Sequence, residues 1–71
     1  MTRAVLTARV ENIKRLAYRD QDDEAAHRAE DKLREDVLQA IFDGEIAGSR
    51  AREFAGIALS TNGIDFGRWC A

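Results

Sequence analysis

The sequence predicts an all-α fold, and three observations carry that prediction. Proline is absent. No glycine occurs between Met1 and Asp43, so nothing in the first half forces a helix to break. Apolar residues recur at steps of three and four, the spacing that gathers side chains on one helical face. The expected architecture is a helical hairpin (about 2–19 and 20–43), a shorter third helix (about 50–60) and a docked C-terminal turn. One domain covers residues 1–71.

Thr2 is placed to cap the first helix, which runs to Arg19. Leu6, Val10, Ile13 and Ala17 form its apolar stripe, widened by Val5 and Leu16. Tyr18 falls off the stripe and is expected at its edge with the hydroxyl in water. Asp20–Asp23 is the expected turn. The alternative is one continuous helix from Thr2 to Asp43, which would need a partner chain to bury its stripes.

The second helix is framed by Asp20, Asp22 and Asp23, each suited to the positive end of a helix dipole, and by Gly44, a stop signal. Ala26, Ala29, Leu33, Val37 and Ala40 lie on one face. Glu24, Arg28, Lys32 and Glu35 lie opposite. Glu24 with Arg28 and Glu30 with Arg34 are acid-first pairs four apart, worth a few tenths of a kcal/mol each. From Leu38 onward the apolar face widens, because Leu38, Ile41 and Phe42 sit well off the Val37–Ala40 line. A helix apolar over more than half its girth is expected to be covered from two sides. This end therefore reads as the centre of the core, or as a dimer seam.

Gly44 to Gly48 reads as a loop with Ile46 tucked inward. Ser49 is the expected cap of the third helix, whose inward face is Ala51, Phe54, Ala55 and Ala58, with Ile57 and Leu59 at the margins. Ser60-Thr61-Asn62-Gly63 ends it, with Asn62 or Gly63 expected in the left-handed conformation. The tail carries Ile64, Phe66 and Trp69. Three such large apolar residues imply docking on the body, with Asp65 capping a single helical turn.

Charge is unevenly spread. Residues 1–19 set five basic side chains against Glu11, giving +4. Residues 20–45 set ten acidic against three basic, giving −7. The remainder contributes +1, for a net −2. A basic helix beside an acidic one is explained most simply by complementarity within the hairpin. The lone cysteine, Cys70, cannot form an internal disulfide or a four-cysteine zinc site. No apolar run nears the roughly 20 residues that span a bilayer, and no signal-peptide core opens the chain. A cytoplasmic protein without membrane association is expected.

Few constellations carry chemistry. His27, Glu30 and Asp31 occupy adjacent turns, a spacing that can share a divalent metal or pair a base with a carboxylate. A catalytic metal needs three or more protein ligands, and there is no second histidine. The plainer reading is a surface histidine in a local contact with Asp31. Cys70 has no assured base or pocket. Gly44 with Gly48, and Gly63 with Gly67, lack the lysine and strand context of a phosphate loop. As a helix-turn-helix, Arg50–Ser60 followed by Asn62-Gly63 has Leu59 where the turn glycine should stand, and only Arg68 beyond it. Phosphate contacts from Arg15, Tyr18 and Arg19 would be the other nucleic-acid route, and the net charge opposes both.

The residues Ala25-Ala26-His27, Glu30-Asp31, Leu33, Val37-Leu38-Gln39-Ala40-Ile41 and Asp43-Gly44, with Ile64-Asp65-Phe66 and Arg68-Trp69-Cys70-Ala71, carry a resemblance. Over roughly residues 24–71 the chain resembles small helical proteins encoded by bacteriophages and prophages, notably of actinobacteria. The Asp-Phe-x-Arg-Trp-Cys ending is the most distinctive part. That family has no assigned activity, so the resemblance implies no catalytic or cofactor residue. It implies a short phage protein acting in the host cytoplasm by binding a protein. It also draws attention to His27, Glu30 and Asp31 and to the tail. If the tail folds back, Trp69 covers the alanine side of the long helix and Arg68 approaches Glu30 or Asp31.

The expectation is a non-catalytic protein without cofactor that binds a host or phage protein. Its candidate surface is His27, Glu30, Asp31, Arg34, Arg68 and Trp69. Homodimerisation is left open. Nucleic-acid binding and a weak metal site at His27, Glu30 and Asp31 are the alternatives.

Overall fold

The structure is a computed structural model, and it describes residues 1–68. It is all-α among those residues. Helix α1 spans Arg3–Lys14 and continues as a π-helical turn over Arg15–Arg19; α2 spans Asp23–Phe42, and α3 spans Ser49–Leu59, followed by a 3-10 turn at Ser60–Gly63. The three helices pack on one another around a single core.

Each helix starts and stops for a local reason. The Thr2 hydroxyl accepts from the Val5 amide, and the Asp22 carboxylate accepts from the Ala25 amide, so α1 and α2 each have a side-chain cap. Between them the chain turns without a glycine. The last turn of the first helix widens to i→i+5 bonding, with the Asp20 amide on the Arg15 carbonyl, and Gln21 takes a left-handed φ of 50°. The hairpin is therefore two helices, not one continuous rod. At the far end Gly44, at φ 78°, closes a Schellman motif: its amide bonds to the Ile41 carbonyl and the Glu45 amide to that of Ala40.

Two caps differ from expectation. Gly48, at φ 61°, sits at the N-cap of α3 in place of Ser49, and α3 has no side-chain cap bond. Neither Asn62 nor Gly63 is left-handed, because the chain passes from α3 straight into the 3-10 turn.

The core is Leu6, Val10, Ile13 and Ala17 from the first helix, Ala26, Leu33, Val37 and Ala40 from α2, and Phe54 and Ala58 from α3, closed by Ile46, Ile64 and Phe66. They fall on the predicted stripes, but Val5, expected to widen the first, is 52 % exposed, and Leu16, Ala29, Ala51 and Ala55 are only partly buried. Ion pairs tie the helices together outside it. Arg9 meets Asp36 at 2.9 Å across the hairpin, and Arg3 holds Glu53 of α3 through two bonds of 3.0 and 2.9 Å. The basic-to-acidic complementarity thus falls at mid-hairpin. At the turn Arg19 pairs locally with Asp20.

The tail docks as expected, but in another form. Ile64 and Phe66 are buried, but residues 65–68 are not helical; the 3-10 turn at Ser60–Gly63 precedes the tail. Asp65 caps nothing there. Its amide donates to the Tyr18 hydroxyl at 2.7 Å, so that hydroxyl holds the tail. The larger correction concerns the end of α2. Leu38 is 67 % exposed and Phe42 86 % exposed. One flank of this end, not two, is covered by the fold.

Candidate functional site

Helix α2 carries both the charged cluster singled out in the sequence and the apolar face just described. Glu30 lies on the core stripe, four residues after Ala26 and three before Leu33, and it is 1 % exposed. A carboxylate at such a position must be paired and hydrogen-bonded to be tolerated. Arg68 supplies that: its Nε donates to Oε1 at 2.9 Å and its Nη2 to Oε2 at 3.0 Å. The same guanidinium donates to the carbonyls of Thr61 and Ile64 at 2.9 and 3.0 Å, and lies 3.9 Å from the centre of the Phe66 ring. Arg34 stands 3.4 Å from Glu30 and also donates to the Thr61 hydroxyl and the Asn62 side-chain oxygen at 2.9 and 2.7 Å.

Burial by itself pushes the Glu30 carboxyl upward in pKa. Hydrogen bonds from Arg68, with the charges of Arg34 and Arg68, outweigh it, and the net direction is down. Arg68 moves the opposite way, raised first by its bonds to Glu30. At the hairpin crossing Asp36 is lowered, first by its bond from Lys32, with Arg9 adding to it.

The expected approach of Arg68 to Glu30 is present; Asp31 is not its target. Asp31 is exposed and faces His27, with the imidazole Nε2 3.5 Å from Oδ2. The His27 side chain is only 11 % exposed, so it is not the surface histidine of the sequence reading. One ligand atom each from His27, Glu30 and Asp31 fall within 4.8 Å of one another. Both Glu30 oxygens, however, already accept from guanidinium groups. A cation coordinated there would compete with Arg68 and Arg34 for the carboxylate. The cluster as it stands fastens the tail to α2. Trp69, expected over the alanine side of α2, and Cys70 lie outside the described residues.

What the sequence reading misplaced is the apolar face. Leu38 and Leu59, the latter 57 % exposed, line a groove of about 190 Å³ between α2 and α3 together with Val37, Ile41, Ala55 and Ala58, and Phe42 stands exposed on the last turn of α2. Arg34 closes one end. The signal was the over-wide apolar girth from Leu38 onward. A wider depression, about 430 Å³, lies at the starts of α1 and α3, where the Arg3–Glu53 pair stands among Thr2, Ser49, Arg50 and Phe54.

Fold and site together define a small three-helix protein with an internally engaged charged cluster and an open apolar face. Compared with known proteins, the chain matches no family model, no curated protein and no solved structure. No helix among the described residues is long and apolar enough to cross a membrane.

Proposed function

We propose that this chain is a small non-catalytic protein that binds another protein through the α2–α3 face. One observation carries the reading: Leu38 and Leu59 stand in water at an apolar groove, and Phe42 is exposed one turn further along α2. Contiguous apolar surface of this kind, rimmed by polar residues, marks interaction sites. An amphipathic helix or a complementary helical surface is the kind of structure that fills such a groove.

The charged cluster supports the same reading from the other side. Glu30, Arg34 and Arg68 are engaged with one another and with Thr61, so they hold the fold in place of presenting a reactive group. The resemblance of the C-terminal residues to phage-encoded proteins points to a host or phage protein as the partner.

The test is capture from a lysate of the host and phage proteins on the immobilised chain, with bound proteins identified by mass spectrometry. The expected result is one stoichiometric partner, retained by the wild type and lost with Leu38→Glu or Phe42→Glu. Both side chains are exposed, so both variants should keep the helical circular-dichroism spectrum. Capture insensitive to both substitutions would overturn the assignment of this face.

A further inference from the structure

We propose that the partner on the α2–α3 face is a second copy of this chain, closed about a two-fold axis. The inference rests on the interaction reading above and names its partner. It comes from a match between the two banks of the groove. Helix α2 presents Glu35, Leu38 and Phe42, spaced three and four apart; α3 presents Arg52, Ala55 and Leu59, also spaced three and four apart. Each set therefore forms one stripe along its helix. Each begins with a charge and continues into apolar residues, of which Leu38, Ala55 and Leu59 line the groove and Phe42 is exposed at the end of α2.

The two helices run antiparallel. The loop 43–48 joins the end of α2 to the start of α3, and Arg34 of α2 reaches Thr61 and Asn62 beyond the end of α3. Glu35 and Arg52 therefore stand at diagonally opposite corners of the patch. Both are exposed, and among the described residues neither has an ion-pair partner.

A two-fold axis lying in this face and passing between those corners exchanges them. It sets Glu35 of each copy against Arg52 of the other, faces Phe42 and Leu59 each toward its own counterpart at the other two corners, and leaves Leu38 and Ala55 between them. That is the self-complementarity an isologous interface demands, where residue i meets j and j meets i. Packing α2 squarely on its own copy is disfavoured. Run parallel, it would set Asp31 and Glu35 against themselves; run antiparallel about Leu38, it would bring Asp31 toward Glu45. The charge pattern selects the crossed arrangement. The two rim pairs fix register and orientation, and the apolar centre supplies the affinity.

Sedimentation equilibrium over a wide concentration range tests this. The wild type should be a dimer that dissociates on dilution. Leu38→Glu should be a monomer with an unchanged circular-dichroism spectrum. Glu35→Arg and Arg52→Glu should each weaken the dimer about tenfold at low salt, because each places like charges together twice. The double swap Glu35→Arg/Arg52→Glu should restore it. A double swap that fails to restore association overturns the two-fold arrangement. A wild type that is monomeric at every concentration overturns the second copy as partner. If that monomer still captures another protein in a Leu38-dependent way, the interaction reading stands alone; if it does not, both fall.

Discussion

Arg68 closes on Glu30 across 38 residues of sequence through two charge-assisted hydrogen bonds, 2.9 Å from Nε to Oε1 and 3.0 Å from Nη2 to Oε2. The pair joins the last described residue to the middle of the longest helix. It explains how a carboxylate sits on a core stripe without unfolding the helix that carries it.

Removing the guanidinium leaves a buried carboxylate with Arg34 alone beside it. Arg68→Ala should therefore destabilise the fold by about 3 kcal/mol, the low end for a broken buried pair, because Arg68 is itself partly exposed. In a domain of this size that lowers the melting temperature by well over 10 °C, at about 4–8 °C per kcal/mol. Glu30→Gln should cost less, since it leaves no orphaned charge in the core. The double variant Glu30→Met/Arg68→Met should recover much of the loss. Urea denaturation measures all three. An Arg68→Ala midpoint equal to that of the wild type would remove the pair from any account of stability.

Acid should act through the same carboxylate. Glu30 is lowered in the folded state from an ordinary value of 4.5, so as pH falls the unfolded chain takes up the proton first. Its contribution is complete above about 4.5 and is lost as pH drops through the lower folded value. Stability measured by urea midpoints should fall in that window for the wild type, and less steeply for Glu30→Gln. Superimposable slopes for the two proteins would show that other carboxylates govern acid unfolding.

The glycine-free turn should be improvable. Gln21 holds φ 50°, a conformation that costs a side-chain-bearing residue about 1 kcal/mol. Gln21→Gly removes that strain and should stabilise by up to about 1 kcal/mol, less the extra entropy of glycine in the unfolded chain. Gly44→Ala runs the experiment in reverse. A Cβ there meets nothing within 4 Å, so a loss of about 1 kcal/mol would report backbone conformation alone. Denaturant midpoints decide both, and a destabilised Gln21→Gly contradicts the strain argument.

Much of the fold was legible because it is local. The spacing of Leu6, Val10, Ile13 and Ala17, and of Ala26, Leu33, Val37 and Ala40, is a property of one helix at a time, and those residues are buried. Thr2 and Gly44 carry the start and stop signals that the structure uses. The approach of Arg68 to Glu30 was expected from the tail folding back. The burial of His27 was not, because a histidine on the shoulder of a helix is covered or left open by what packs beside it, and its own helix does not say which.

The amino-acid sequence by itself determined the helices, their core stripes and the docking of the tail, since periodicity and caps act within a few residues. Tertiary structure alone decided which flank of α2 is covered. Leu38 and Phe42 extend an apolar girth that reads equally as core or as seam, and only the placement of α1 and α3 on the other flank leaves them in water. The charged end of α2 went the other way. Glu30, which could have been a ligand or a surface charge, is sealed by an arginine from the far end of the chain, a contact that sequence spacing cannot specify because it exists only once the chain has closed.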